Sequence, residues 1–361
     1  MRIVFVVYHD LLTEARSQDT LKALESIGDV TVISQNELPR WSRSRNIIVP
    51  YENERKGFRY ARFLNVAKKV IKEEQPQMVF LHDAITLIPF VKTHCPSSKI
   101  VCDQSELMVD RKNSNIRLFI LNLMDIRNKY QLKKADLVIC ANEERAIITQ
   151  FYYGLNKKPF VFENIHRIDD EYNKEEFDQK YKRFISDKCK LVVYGGGVSK
   201  ARKTYDIVRA IAPKKDVCLI VAGANPEGVE YFHQLINELN VTERIAYIGF
   251  VPRSEWRYLL SIADISIVAF ERNCWNNIYC ASGKAFESLF EGTPILCSNN
   301  PPLERICREK HVGVATDDFS EGIDLLLKDI DIYKKDALAF AQTLDYESRI
   351  QDLASAIKGV L

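Results

Sequence analysis

Short aliphatic and β-branched runs, each followed by a helical stretch, recur along the whole chain, and this alternation constrains the fold more than any other feature. Runs at 2–8, 30–34, 77–82, 99–102, 136–140 and 160–162 are apolar almost throughout. A strand covered on both faces carries that pattern, so each is predicted as a strand of a parallel sheet. A second set follows at 190–194, 217–222, 245–248, 264–269, 294–297 and 312–314. Helices between parallel strands lead to two doubly wound, Rossmann-like α/β domains. The length of 361 residues agrees, because one core usually closes at about 100–200 residues.

A stretch at 167–190, rich in Asp, Glu and Lys and poor in aliphatics, separates the two sets and reads as the hinge. The expected division is therefore an N-terminal domain over 1–166, a linker over 167–189, a C-terminal domain over 190–332 and a helical tail over 333–361. In the tail, Ile350, Leu353, Ile357 and Leu361 form one stripe, expected to pack across the domains. Residues 115–134 read as an amphipathic helix packing on the core, with membrane contact as the second reading.

No run of about 18 apolar residues and no signal-peptide pattern is present, so the first strand is expected to belong to the fold. Nine cysteines, none in a CxxC pair, read as buried thiols of a cytoplasmic protein. Six histidines lack HxxxH spacing, and no Cys/His cluster has zinc-site spacing, so no metal is expected. The Asp329-Ile-Asp331 run lies in a Lys-flanked helical region and reads as surface. Neither GxGxxG after the first strand nor GxxxxGK[ST] occurs, which argues against a nicotinamide dehydrogenase and a P-loop kinase.

The net charge of +2 conceals an asymmetry: residues 1–188 hold 31 Lys and Arg against 26 Asp and Glu. Arg40, Arg43, Arg45, Arg55, Lys56, Arg59, Arg62, Lys68, Lys69 and Lys72 concentrate the excess. They can face anionic lipid headgroups or a phosphorylated acceptor, or simply form a solvated helix face.

Two segments carry chemistry. In LVVYGGGVSKARK (191–203) a buried strand runs into three glycines and a basic helix start. Glycines let the main chain approach a pyrophosphate, exposed N–H groups favour negative charge, and Arg202 and Lys203 can neutralise phosphates. In ASGKAFESLFEGTPILC (281–297), Ser282 is the expected cap of a short helix whose free N–H groups, with Lys284, offer a second phosphate cradle. Glu287 on that helix can accept both hydroxyls of a ribose, or face solvent.

These two segments, in this order, resemble the retaining, metal-independent glycosyltransferases of the GT-B fold, and the likeness runs over most of the chain. It implies that Tyr194, Gly196, Gly197 and Arg202 grip a donor diphosphate and that Ser282, Gly283, Lys284, Phe286 and Glu287 close the site. Main chain near Phe250 and Val251, in AYIGFVP (246–252), would contact the base. In the N-terminal half, His82-Asp-Ala84, VCDQSE (101–106), ADLVI (135–139) and PFVFEN (159–164) resemble the strand ends that face the cleft between the domains. There are two departures. Ser105 stands where many relatives have His, and Tyr279 stands eight positions before Glu287 where many have Glu.

The resemblance implies catalysis by charge stabilisation, with Arg202, Lys203, Lys284 and helix N–H groups holding the leaving diphosphate and no cofactor required. Asp103 and Glu106 are the catalytic candidates of the N-terminal half, with Asp10, His82, Asp83 and Ser105 on the acceptor side. His82 and Asp83 can equally cap a helix after a strand. The expected activity is transfer of a hexose-type sugar from a UDP- or GDP-linked donor to a lipid-linked or polysaccharide acceptor. A cytoplasmic enzyme of bacterial surface glycan synthesis, peripheral on an anionic inner membrane face and without nucleic-acid partners, fits that reading. A nucleotide-sugar epimerase of the same architecture and a scaffold subunit that has lost transfer are the alternatives.

Overall fold

In the computed structural model, residues 1–361 are described except 13, 51–55, 108, 110–129, 186–188, 224–227 and 281. Two compact units result: residues 1–164 with 346–361, and residues 165–345. The predicted helix over 115–134 and the basic Arg55 therefore lie largely or wholly outside the described residues.

The first unit is built on β1 (Arg2–Val7), β2 (Asp29–Ser34), β3 (Arg45–Ile48), β4 (Met78–His82), β5 (Lys99–Gln104), β6 (Leu137–Cys140) and β7 (Phe160–Val161). All pair in parallel, in the order β3-β2-β1-β4-β5-β6-β7. Side chains on β1 alternate between two cores. Val4 and Val6 join Phe63 and Ile71 of the helix Lys56–Glu74, whereas Ile3, Phe5 and Val7 join Leu21 and Leu24 of the helix Ala15–Glu25. Helices on both faces explain why β1 is apolar at every position after Arg2.

The second unit repeats the plan with β8 (Lys190–Gly195), β9 (Val217–Ala222), β10 (Ile245–Tyr247), β11 (Ile265–Val268), β12 (Ile295–Cys297) and β13 (Gly313–Ala315), in the order β10-β9-β8-β11-β12-β13. Here Val192 and Tyr194 of β8 face one core, and Leu191 and Val193 the other. Strand order reverses between β1 and β4 in the first sheet and between β8 and β11 in the second. Crossover helices diverge at such a reversal, leaving an open crevice beyond the carboxyl ends of the two strands.

The structure departs from the sequence reading in four places. Strand β3 was not expected, because a four-residue edge strand containing Arg45 and Asn46 has no apolar run to announce it. The polar stretch 167–189 is part of the second unit and not a linker: it contains the helix Lys174–Tyr181, with Ile168, Tyr181 and Phe184 buried against Tyr258 and Leu259 of the helix Arg253–Ile262. The tail does not act as one piece. Helix Ile330–Gln342 belongs to the second unit and helix Tyr346–Lys358 to the first, where Ile350, Leu353 and Ile357 are buried on the Ala15–Glu25 helix while Leu361 is exposed. Finally, Cys189 and Cys218 form a disulfide, and Cys274 is only half-buried, leaving six cysteines as the buried thiols expected. Neighbouring strands bring Cys189 and Cys218 together, since residue 191 pairs with 218 across β8 and β9, and nothing in their spacing signals it. No helix among the described residues is long and apolar enough to cross a membrane.

Candidate functional site

At the carboxyl end of β8 the chain passes through Gly195, Gly196 and Gly197 into a 3-10 turn, Lys200–Arg202, and then the helix Thr204–Ile211. Side chains are excluded here for steric reasons. A Cβ on Gly195 would lie 2.6 Å from the Trp256 ring, and one on Gly196 would lie 2.6 Å from the Tyr194 hydroxyl. One on Gly223, whose φ is +153°, would lie 2.3 Å from the Gly196 carbonyl. The loops after β8, β9 and β10 thus meet main chain to main chain: Gly196 N donates to Ala222 O at 2.7 Å, and Gly223 N to Gly249 O at 2.8 Å. Burial pushes the Tyr194 phenol up to about 12, keeping it a neutral donor, and it donates to Arg202 O at 3.0 Å. That bond anchors the backbone of the residue expected to meet phosphate.

Arg202 itself is exposed, its guanidinium 5.0 Å above the Phe270 ring, just beyond β11 on the other side of the strand reversal. Lys203, grouped with it in the sequence, is placed differently. Its ammonium lies 2.6 Å from Asp317, which also pairs with Arg272 at 2.6 Å. The Lys203 ammonium is therefore already paired with a carboxylate, whereas Arg202 is exposed at the glycine turn, as is Lys200.

The second segment folds as expected into the helix Gly283–Phe290, with Lys284 exposed and Ala285, Phe286 and Leu289 buried; Ser282 occupies the N-cap position but its side chain makes no cap hydrogen bond. Glu287 is half-buried, and its Oε2 accepts from Trp256 Nε1 at 3.2 Å. One indole therefore connects the two segments: its ring floors the glycine turn at Gly195 and its N–H fixes the Glu287 carboxylate. Sequence reasoning missed Trp256; the only local signal is an aromatic one turn into the helix that follows Pro252. Phe250 is exposed and Val251 half-buried, both beside Gly249, whose φ is +75°.

In the first unit, the carboxyl ends of β1, β4 and β5 gather His9, Asp10, His82, Asp83, Asp103, Ser105 and Glu106. Asp103 is wholly buried, and Arg16 grips it with both arms of the guanidinium: Nε to Oδ2 at 2.9 Å and Nη2 to Oδ1 at 2.6 Å. Arg16 also donates to Phe162 O and, at 2.8 Å, to Asn164 Oδ1. Burial alone would raise the Asp103 carboxyl, but Arg16 and His82 outweigh it and hold the group well below the usual carboxylate range. A residue so enclosed positions others, so Asp103 does not stand at the surface as a catalytic carboxylate would. Arg16 was missed altogether, because an arginine on an otherwise polar helix looks like a surface residue.

His82 is 1% exposed, with Nδ1 3.2 Å from Asp103 Oδ2. Burial would lower its pKa, yet Asp103 and Asp83 raise it to about 9. Asp83, at a φ of 51°, lies 3.8 Å from His82 Nε2 and 3.9 Å from His9 Nε2. Ser105 donates its backbone N–H to Asp83 Oδ1 at 3.0 Å and its hydroxyl to Oδ2. Burial raises the Asp83 carboxyl, but His9, His82 and Ser105 lower it further, so it is ionised. Asp10 Oδ1 accepts from Leu12 N at 2.9 Å, and Glu106 is exposed.

The family profile described as "Glycosyl transferases group 1" matches residues 148–337. Among solved structures, the sucrose-phosphate synthase tll1590 from Thermosynechococcus elongatus superposes with a TM-score of 0.76 at 15% identity, covering 99% of this chain and 98% of the other. Anabaena Alr3699/HepE, solved in complex with UDP and glucose, gives 0.76 at 14% identity over 99% of both chains. The lipopolysaccharide outer core galactosyltransferase WaaB, in apo form, gives 0.67 at 13% identity over 100% of both chains. No curated protein matches the sequence.

Proposed function

Since the chain belongs to the group 1 glycosyltransferases and has their GT-B fold, we propose that it transfers a hexose-type sugar, with retention, from a UDP-linked donor to a lipid-linked or polysaccharide acceptor of a bacterial surface glycan. The observation that carries this reading is the Trp256 bridge, which sets the glycine turn and Glu287 around one indole. Backbone N–H groups of the turn and of the Gly283–Phe290 helix, with the Arg202 guanidinium and the Lys284 ammonium, form a cationic rim for a diphosphate. As the bond to the sugar breaks, negative charge grows on that diphosphate. Groups already oriented toward it stabilise the transition state without a cofactor.

Glu287 would accept the ribose hydroxyls. Trp256 occupies Oε2, and Oε1 has no protein donor among the described residues. UDP is favoured over GDP by the likeness to Alr3699/HepE, and a surface-glycan acceptor by the likeness to WaaB. A thermal-shift screen of nucleotides and nucleotide sugars tests the donor, because selective binding raises stability as RT ln(1 + [L]/Kd). UDP and a UDP-sugar should raise Tm, and no response to any nucleotide would end this reading. Glu287→Gln should weaken UDP binding about 10–100-fold, the worth of hydrogen bonds to a charged acceptor, and should cost 2′-deoxy-UDP less, because only its 3′-hydroxyl remains to bond the carboxylate.

The first unit would take the acceptor at the carboxyl ends of β1, β4 and β5, where His9, Asp10, Asp83 and Glu106 stand. Helix Lys56–Glu74 carries Arg59, Arg62, Lys68, Lys69 and Lys72 together with the exposed Phe58, a combination suited to an anionic membrane surface in a peripheral cytoplasmic enzyme. Flotation with vesicles containing phosphatidylglycerol should carry the protein at low salt, and Lys68→Glu/Lys72→Glu should abolish it. Equal flotation of the variant would leave the helix as an ordinary solvated face.

A further inference from the structure

We propose that the first unit holds a divalent cation of the zinc class between His9, His82 and Asp83. The Nε2 atoms of His9 and His82 lie 3.9 and 3.8 Å from Asp83 Oδ2, and the three ligand atoms fall within 4.8 Å of one another. Zinc bonds of about 2.0–2.1 Å place tetrahedral ligand atoms roughly 3.3 Å apart. A swing of the His9 ring, whose side chain is 45% exposed, shortens its own distance to Asp83, and the His82–Asp83 pair closes by roughly 0.5 Å as the ion is bound. Among the described residues no other group of three such ligands comes together.

The surroundings point to a ligand independently of these distances. His82 is 1% exposed, and its Nε2 has no hydrogen-bond partner among the described residues, an arrangement that costs free energy unless something else satisfies it. Its Nδ1 faces Asp103 Oδ2 at 3.2 Å, and Arg16 clamps that carboxylate. A carboxylate behind one ring nitrogen is the arrangement that orients a histidine and leaves the other nitrogen for a metal. Asp83 is fixed in the same way, by the Ser105 backbone N–H and hydroxyl. Two of the three ligands are thus oriented in advance, and the third, His9, lies at the exposed side where an ion enters.

Two imidazoles and one carboxylate suit a borderline cation such as zinc, whereas magnesium and calcium take oxygen ligands. Binding takes both imidazoles in their neutral form, and a coordination position stays open for water or for a hydroxyl or anionic oxygen. This site lies in the first unit and goes beyond the donor reading, which rests on Arg202, Lys284 and Glu287 in the second.

The test uses the full chain with Cys274→Ser, removing the one free thiol that is not buried. After chelator treatment and exchange into chelator-free buffer, the protein is titrated with zinc by calorimetry, and with cobalt while visible absorption is recorded. One equivalent should bind, and His9→Ala and Asp83→Asn should each weaken it at least about tenfold and remove the cobalt absorption. His94→Ala, which removes an exposed histidine elsewhere in the unit, should bind as the parent does. His9 is half-exposed, so its variant keeps the fold, which circular dichroism verifies. Absence of a single-equivalent transition in the parent, or undiminished zinc affinity in His9→Ala, would overturn the proposal.

Discussion

Arg16→Ala should destabilise the first unit by about 3–5 kcal/mol, the usual consequence of leaving a buried charge without its partner. The guanidinium and the Asp103 carboxylate are both almost fully buried, and they meet at 2.6 and 2.9 Å. Removing the arginine leaves that carboxylate in a low-dielectric interior beside His82, with the Phe162 carbonyl and Asn164 side chain also losing their donor. For a unit of this size the cost corresponds to a fall in Tm on the order of 10 °C. Scanning calorimetry reads it directly, and the transition that moves identifies the first unit. Asp103→Asn should behave similarly, with Tm moving more than the initial rate corrected for folded protein. A variant of full stability and impaired rate would instead return Asp103 to a direct role in the chemistry.

The opposite signature is expected at Arg202. Its guanidinium is exposed and rests on the Phe270 ring at 5.0 Å, so Arg202→Ala should cost no more than about 1 kcal/mol of stability. Turnover should nevertheless fall about 10²–10³-fold, as when one preorganised charge-stabilising donor is lost elsewhere. The backbone bond from Tyr194 to the Arg202 carbonyl survives the substitution, so the glycine turn keeps its shape and the loss is one of charge alone. Sugar transfer near the parental rate, measured with the donor identified by thermal shift, would remove Arg202 from the chemistry. Lys203→Ala offers a contrast. Its ammonium is matched to Asp317, so stability should suffer and turnover should fall less than in Arg202→Ala.

The twelve predicted strands all recur in the two sheets, because buried parallel strands write a continuous apolar run into the sequence and their connections need helices. The glycine turn was legible for a related reason: it is a local backbone device with fixed residue requirements. What escaped was long-range pairing. Arg16 and Asp103 are 87 positions apart, Trp256 and Glu287 31, and Lys203 and Asp317 114, and no periodicity links the partners. A basic residue five positions beyond a glycine turn can point at a ligand or at a neighbouring carboxylate, and only the packed chain decides. Strand β3 escaped for the converse reason. At an edge with half its residues exposed, it has no hydrophobic pattern to display.

The first unit receives its last helix, Tyr346–Lys358, only after residues 165–345 have been synthesised. At ribosomal speed that interval lasts on the order of ten seconds or more. Throughout it, Leu21 and Leu24 lack the Leu353 and Ile357 that later share their core. The half of the protein that leaves the ribosome first is therefore the half that matures last. A nascent chain stalled within the second unit would present an uncovered apolar face to whatever chaperone surveys the exit tunnel.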